Sequence, residues 1–184
     1  MVLSLVSPVG ANFIKDWSGQ NTINCDLIDA YAGQSVIGFG LTGYTPSLSA
    51  TTTAPTLGTG GFIRGYYYRI WDQIYSWGEF RFGTTGMNVG NGNYGISLPL
   101  AADVGVVGAS PNSGSGAAIG NGLLWDASAN SGKRPLLVQL KDSVTIEFYH
   151  PVGDAGLNHV YSGSPVTWTN GDGISWFVQY KRLP

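Results

Sequence analysis

The sequence predicts an all-β protein, an antiparallel β-sandwich of the jelly-roll type with about eight strands. Three observations indicate this fold class. Glycine occurs 28 times among 184 residues, charged residues make up only 11% of the chain, and short runs alternate apolar with polar side chains between turn-forming segments. Such a composition suits short strands joined by tight turns better than long helices, and the length corresponds to one ordinary domain with a sizeable core.

The N-terminal residues 1–43 are expected to form an attachment arm that precedes a sandwich domain over 44–184. Within the arm, Thr22 or Asn24 can cap a short helix over Cys25–Tyr31. A helix of this length is not stable alone in water, so its apolar stripe must dock on another surface. The predicted docking side chains are Ile23, Leu27, Ile28 and Tyr31.

Strands are predicted along most of the remaining chain. Tyr44–Gly61 is expected to be an extended edge strand that enters a turn. The segment GYYYRIWDQIYSWGEFRFG, residues 65–83, predicts a long hairpin with its turn at Trp71–Gln73. Further strands are predicted at Tyr94–Leu98, Ile119–Trp125, Leu136–Leu140, Val144–Tyr149 and Ile174–Tyr180.

Alternation along the hairpin divides its side chains between two faces. The core face is predicted to hold Tyr66, Tyr68, Ile70, Ile74, Phe80 and Phe82, with the small Ser76 and Gly78 among them. The opposite face is a candidate oligomer or ligand interface made of Tyr67, Arg69, Tyr75, Trp77, Glu79 and Arg81. A row of aromatic and charged residues can contact another copy, lie under a loop of the same chain or stack on sugars. Of these, we favour contact between chains.

Motifs that would indicate catalysis, a cofactor or a metal are weak. The segment GNGNYG at 90–95 matches a dinucleotide-binding pattern but leads into a strand, so it predicts a hairpin turn. Asp126–Gly132 lacks the glutamate of a calcium loop and predicts another turn. Neither His150 nor His159 has a partner that sequence context places beside it, and the acidic residues are scattered. We expect no enzyme, no cofactor and no metal.

Charge and hydropathy restrict the partners. A net charge of -2 gives no general attraction to nucleic acid or to anionic membranes. No apolar run approaches the roughly 18 residues that a membrane-spanning helix needs, and MVLSLVSPVG lacks the basic start of a signal peptide. Cys25 is the single cysteine, so no intrachain disulfide is expected. A surface with so little charge is typical of proteins that work inside assemblies.

An ordered set of segments resembles a module of tailed-bacteriophage virion proteins, especially minor tail and capsid-surface proteins of phages that infect actinobacteria. The segments are YTPSLSATTTAPTLGTGG, GYYYRI, GEFRFGTTG, GNGNYGISLP and TWTNGDGISWFVQYKR, which run in order from Tyr44 to Arg182. The resemblance implies a non-enzymatic structural protein on the particle surface, forming a homotrimer. We expect other virion proteins of the capsid or tail tip as partners, and a host-envelope glycan as a candidate further ligand.

Two other functions stay open. The first is a carbohydrate-binding module that uses Tyr75 and Trp77 as stacking platforms. The second is a polysaccharide depolymerase, which is less favoured because the sequence shows no carboxylate pair.

Overall fold

The computed structural model describes residues 40–107, 118–129, 132–153 and 156–184, together with the backbone of 29–31 and 34–35. The strands in these ranges are β1 (Asp29–Tyr31), β2 (Gln34–Ser35), β3 (Thr42–Tyr44), β4 (Leu48–Ala50), β5 (Phe62–Ile70), β6 (Gln73–Arg81), β7 (Tyr94–Ser97), β8 (Ala118–Trp125), β9 (Lys133–Leu140), β10 (Thr145–Pro151), β11 (Leu157–His159) and β12 (Gly173–Lys181). One short helix, α1 (Val104–Val107), lies between β7 and β8. No helix of the described ranges is long and apolar enough to cross a membrane.

Ten strands form one continuous antiparallel sheet. Its order is β3-β5-β6-β12-β8-β9-β10-β7-β4, and β11 pairs with β10 beside this path. The two outermost strands, β3 and β4, are joined only by Thr45, Pro46 and Ser47. A linker this short spans at most about 14 Å. The sheet therefore curls until its two edges come together, and it forms a half-barrel.

The all-β antiparallel prediction is confirmed, but the arrangement differs from the two facing sheets that we expected. The strands form one curled sheet, in which β12, the last strand in sequence, lies between β6 and β8. Alternation within a strand identifies its two faces and says nothing about which strand lies beside it. The sheet also includes β3, which begins at Thr42, before the expected start of the domain at Tyr44.

The predicted N-terminal helix is wrong over its last residues. Asp29–Tyr31, including the proposed docking residue Tyr31, is an extended strand that pairs antiparallel with Gln34–Ser35. A helix of two turns is marginal without a docked apolar face, so local strand pairing can replace it. The other predicted docking residues, Ile23, Leu27 and Ile28, lie outside the described residues.

The core fills the concave side of the sheet. Four aromatic rings, those of Phe80, Phe82, Tyr94 and Trp168, contact one another with centroids between 5.2 and 6.4 Å apart. On β12 the alternation is regular, with four buried side chains and three exposed ones between them. The buried ones are Ile174, Trp176, Val178 and Tyr180, and the exposed ones are Ser175, Phe177 and Gln179. The convex side of the sheet is therefore the side that can meet a partner.

Candidate interaction surface

The turn between β5 and β6 decides which hairpin side chains face outward. Ile70 pairs with Gln73, so the turn contains only Trp71 and Asp72, and Trp71 adopts a φ of 56° that bulky residues rarely take. We expected a three-residue turn. The shorter turn moves every β5 side chain to the opposite face relative to β6, because residues paired across an antiparallel ladder share a face.

The face assignment for β5 is consequently wrong. Tyr67 is paired with Ser76 and packs against the core, where its ring meets the edge of Tyr44 with centroids 6.0 Å apart. Arg69 is paired with the buried Ile74, and its Nε donates to the carbonyl of Trp71. These two predicted interface residues do not belong to the convex surface. Three residues predicted for the core lie on the convex side instead: Tyr66, Tyr68 and Ile70.

On β6 the alternation agrees with the prediction. Ile74, Ser76, Gly78 and Phe80 are buried. Tyr75, Trp77, Glu79 and Arg81 alternate with them and lie on the convex side. Phe82, just beyond the strand, is also buried, as expected. The structure thus brings four of the six predicted interface residues to one surface.

Four aromatic side chains on β5 and β6 form a layer that we call the aromatic ladder: Tyr66, Tyr68, Tyr75 and Trp77. The rings of Tyr68 and Tyr75 stack with centroids 4.8 Å apart and planes 9° apart. Tyr66 stacks on Trp77 at 6.2 Å and 30°, while Tyr68 meets Trp77 edge-on at 5.9 Å and 65°. Because the rings turn their faces toward one another, mainly their edges are left for a partner.

The ladder continues into an uncharged region on β12, β8 and β9. Phe177 is paired with Trp77 on one side and Asn121 on the other, and it is 43% exposed. Leu123 and Leu137 are each 37% exposed on the same convex side. We call this region the outer strip, and it consists of Asn121, Leu123, Leu137, Ser175, Phe177 and Gln179. The ladder and the strip together cover five adjacent strands without a charged side chain.

Charged residues surround one end of this surface. Glu79 accepts from the guanidinium of Arg64, whose Nε lies 2.9 Å from the carboxylate, and Arg81 Nε lies 3.9 Å from its second oxygen. Arg81 and Lys133 also lie over the ring of Trp125, at 5.6 and 5.0 Å from its centroid. An uncharged centre rich in aromatic residues with charged residues at its border is an arrangement found at protein interfaces.

No family model matches this chain, and no curated protein matches it. Among solved structures, the chain is similar to the Dettilon tailspike protein, with 18% sequence identity and a TM-score of 0.46. The similarity covers 76% of this chain and 23% of that chain.

The two histidines have partners that sequence reasoning missed. His150 Nε2 lies 3.0 Å from Ser164 Oγ, and its Nδ1 lies 3.2 Å from the carbonyl of Pro151. A carbonyl only accepts, so Nδ1 carries a proton; in the neutral imidazole Nε2 then accepts from the serine hydroxyl. Within the described ranges, no carboxylate lies within ion-pair distance of His150.

The second histidine belongs to a buried polar cluster around Glu147. The carboxylate lies 3.4 Å from Lys141 Nζ, 3.6 Å from His159 Nδ1 and 3.5 Å from the hydroxyl of Tyr149. Burial, with a smaller effect of the Glu147 charge, raises the pKa of Tyr149 to about 12. In the described part of the chain, no three His, Cys, Asp or Glu residues are grouped to hold a metal. The cluster joins β10 and β11 to Lys141, the residue that follows β9.

One signal could have located the outer strip from the sequence. The alternation of ISWFVQY places Phe177 opposite to Ile174, Trp176 and Val178, and the apolar Phe177 then stands where a polar residue is expected. The cross-strand neighbours of Phe177 were not accessible in this way, since they come from distant parts of the chain.

Proposed function

We propose that this protein is a non-enzymatic structural component of a bacteriophage particle, displayed at the particle surface as a homotrimer. In this proposal its N-terminal arm attaches it to the capsid or the tail tip, and the curled sheet carries the contact surface. The observation that carries the proposal is the continuous uncharged face of the ladder and the strip, which includes exposed aromatic and leucine side chains. The kind of assembly, a bacteriophage particle, is inferred from the ordered segments between Tyr44 and Arg182, which resemble virion proteins.

The composition of the convex face supports a binding role over a catalytic one. Apolar patches on soluble monomers rarely exceed a few hundred Å². Aromatic residues and arginine are enriched at protein interfaces, whereas lysine and acidic residues are depleted at their centres. The face follows this pattern, because Tyr66, Tyr68 and Trp77 lie at its interior and Arg64 and Arg81 lie at its rim.

Particle labelling tests the proposal. Antibodies raised against the purified chain should bind intact particles of the phage whose genome encodes it, as seen by immunogold electron microscopy. Mass spectrometry of purified particles should also detect the protein in a fixed copy number. A protein that is made in infected cells but is absent from purified particles would contradict the proposal.

A second candidate function is carbohydrate binding, and one observation favours it. Phe177 is 43% exposed, and the amide side chains of Asn121 and Gln179 lie on neighbouring positions of the sheet. An exposed aromatic side chain beside amide groups suits a sugar. Binding on a glycan array that is lost in Phe177→Ala, while the fold is retained, would support this function.

A further inference from the structure

We infer that Asn91 is a site of spontaneous covalent modification, where the side-chain amide is converted to aspartate or isoaspartate through a cyclic succinimide. The site lies in the segment GNGNYG, residues 90–95, which leads into β7. It does not depend on the proposed function, because the reaction needs only water.

The chemistry joins the asparagine side chain to the backbone amide that follows it. The nitrogen of the next residue attacks Cγ of the asparagine and forms a C–N bond, and the side-chain nitrogen leaves as ammonia together with the amide proton. Water then opens one of the two carbonyl groups of the ring, which gives aspartate or isoaspartate. Glycine is the most favourable next residue, because it has no Cβ to obstruct the attack and adopts backbone conformations that other residues avoid.

Asparagine precedes glycine three times in this chain, at residues 91–92, 121–122 and 170–171. All three asparagines are exposed, so neither the dipeptide sequence nor accessibility distinguishes them. The glycine amide does distinguish them. An amide that donates a hydrogen bond must give up that bond before its nitrogen can attack, and the free energy of this opening slows the reaction.

Two of the three glycine amides are held by the fold. Gly171 donates its N–H to the carbonyl of Phe82 at 2.9 Å. Gly122 lies in β8 and is paired with Trp176 of β12 on one side and with Leu136 of β9 on the other. The backbone of a strand between two neighbours belongs to their ladders. Reaction at either position therefore requires these hydrogen bonds to open first.

The amide of Gly92 differs from the other two. In the part of the chain that the structure describes, its N–H donates no hydrogen bond, and none holds the side-chain amide of Asn91. Gly92 adopts a φ of 96°, a conformation that favours glycine. The main chain of Asn91 pairs with Thr53 in an isolated bridge outside the ladders of the sheet. Such a bridge opens more readily than a strand that is held on both sides.

Conversion changes the contact that Asn91 makes with the preceding loop. The amides of Thr52 and Thr53 both donate to the carbonyl of Asn91 at 3.0 Å. Aspartate adds a negative charge beside this contact. Isoaspartate also lengthens the main chain by one carbon, which moves the carbonyl out of register with the two amides.

Peptide mapping of the aged protein tests the inference. The full chain is incubated in mildly alkaline buffer and digested, and the aspartyl and isoaspartyl peptides that contain residues 91, 121 and 170 are quantified by mass spectrometry. We expect conversion at Asn91 to be at least about tenfold faster than at Asn121 or Asn170, since their glycine amides must first open. Conversion at Asn121 or Asn170 as fast as at Asn91 would overturn the inference, as would no conversion at Asn91.

The unfolded chain is the matched control. In concentrated urea all three glycine amides are exposed, so the three rates should become similar. A preference for Asn91 that persists unchanged in urea would contradict the inference, because the neighbouring sequence and not the fold would then cause it.

A variant provides a second readout. Asn91→Gln keeps an amide at this position, but its longer side chain would have to close a larger ring. Isoelectric focusing of the incubated folded variant should show a severalfold slower accumulation of acidic species than in the unchanged chain. Accumulation at the unchanged rate would show that the conversion occurs elsewhere.

Discussion

Tyr68 and Tyr75 stack across the β5–β6 ladder with their ring centroids 4.8 Å apart and their planes 9° apart. The pair exists because the two-residue turn at Trp71–Asp72 sets the two tyrosines opposite each other. A stacked aromatic pair of this kind stabilises the folded state by more than the burial of its surface area alone.

We expect this contact to appear as a coupling energy. In a double-mutant cycle of Tyr68→Ala and Tyr75→Ala, measured by urea unfolding, the coupling should be about 1 kcal/mol. As a control, Tyr68→Ala combined with Leu157→Ala, on β11, should be additive. A Tyr68–Tyr75 cycle without coupling would contradict the stacking.

Gly78 is required by the close approach of Trp176. A Cβ at residue 78 would lie 2.4 Å from the Trp176 ring and 2.5 Å from the carbonyl oxygen of Arg64. Gly78→Ala should therefore lower the free energy of unfolding by about 2 kcal/mol. The control is Gly43→Ala on β3, where the new Cβ would meet only the Tyr66 ring at 3.9 Å. Thermal unfolding should give a lower midpoint temperature for Gly78→Ala than for Gly43→Ala. Equal midpoints would show that the packing of Trp176 against residue 78 is loose enough to accept a Cβ.

The fully buried carboxylate of Asp172 joins two turns by hydrogen bonds. Its carboxylate accepts the amide of Ala127 at 2.7 Å, and the amide and hydroxyl of Thr169 at 2.5 and 3.1 Å. Asp172→Ala removes a buried carboxylate that accepts three hydrogen bonds, so we expect the free energy of unfolding to fall by about 2 kcal/mol. Asp142→Ala is the control, because that exposed carboxylate accepts one amide, from Val144. Chemical denaturation should show a larger loss of unfolding free energy for Asp172→Ala than for Asp142→Ala.

Lys141 should contribute to the free energy of unfolding only while Glu147 is charged. The buried carboxylate has Lys141 Nζ at 3.4 Å as its nearest cation. Lys141→Met should cost about 3 kcal/mol, since it removes the partner of a buried charge. The same change made together with Glu147→Gln should cost much less, because the amide is neutral. Urea unfolding of the two single variants and the double variant measures this difference, and equal costs would argue against the pair.

Alkaline pH should destabilise the protein through its buried tyrosines. Burial raises the pKa of Tyr149 to about 12, and burial also raises the pKa values of Tyr94 and Tyr180. An unfolded tyrosine titrates near 10, so the folded state holds its proton more tightly. The contribution of these tyrosines to the free energy of unfolding is thus fully present below about pH 10. It falls as the pH rises above about 10, by up to about 1.4 kcal/mol per pH unit for each tyrosine.

The variant Tyr149→Phe tests this contribution. Its unfolding free energy should fall less steeply between about pH 10 and 12 than that of the unchanged chain. Phenolate absorbance during a pH titration should also show one late-titrating tyrosine fewer. An unchanged slope would indicate that Tyr149 titrates normally in the folded state.

The strands were the most predictable part of the fold. Regular alternation located β6 and β12 and assigned the faces of β6, because that strand is buried on one side and period two is then unambiguous. The β5 assignment failed although its alternation was visible. Its tyrosines are half-buried on both faces, so the pattern of YYYR does not distinguish inside from outside, and the assignment depended on the turn length.

The sequence by itself determined that this chain is an antiparallel β protein, where most of its strands lie, and that Tyr75 and Trp77 stand opposite to the core on β6. Only the tertiary structure decided that β12 lies between β6 and β8, which joins Phe177 to Trp77 and makes one surface from residues about a hundred positions apart. The physical reason is that side-chain periodicity is a property of a single strand, whereas strand order depends on hydrogen bonds between distant segments.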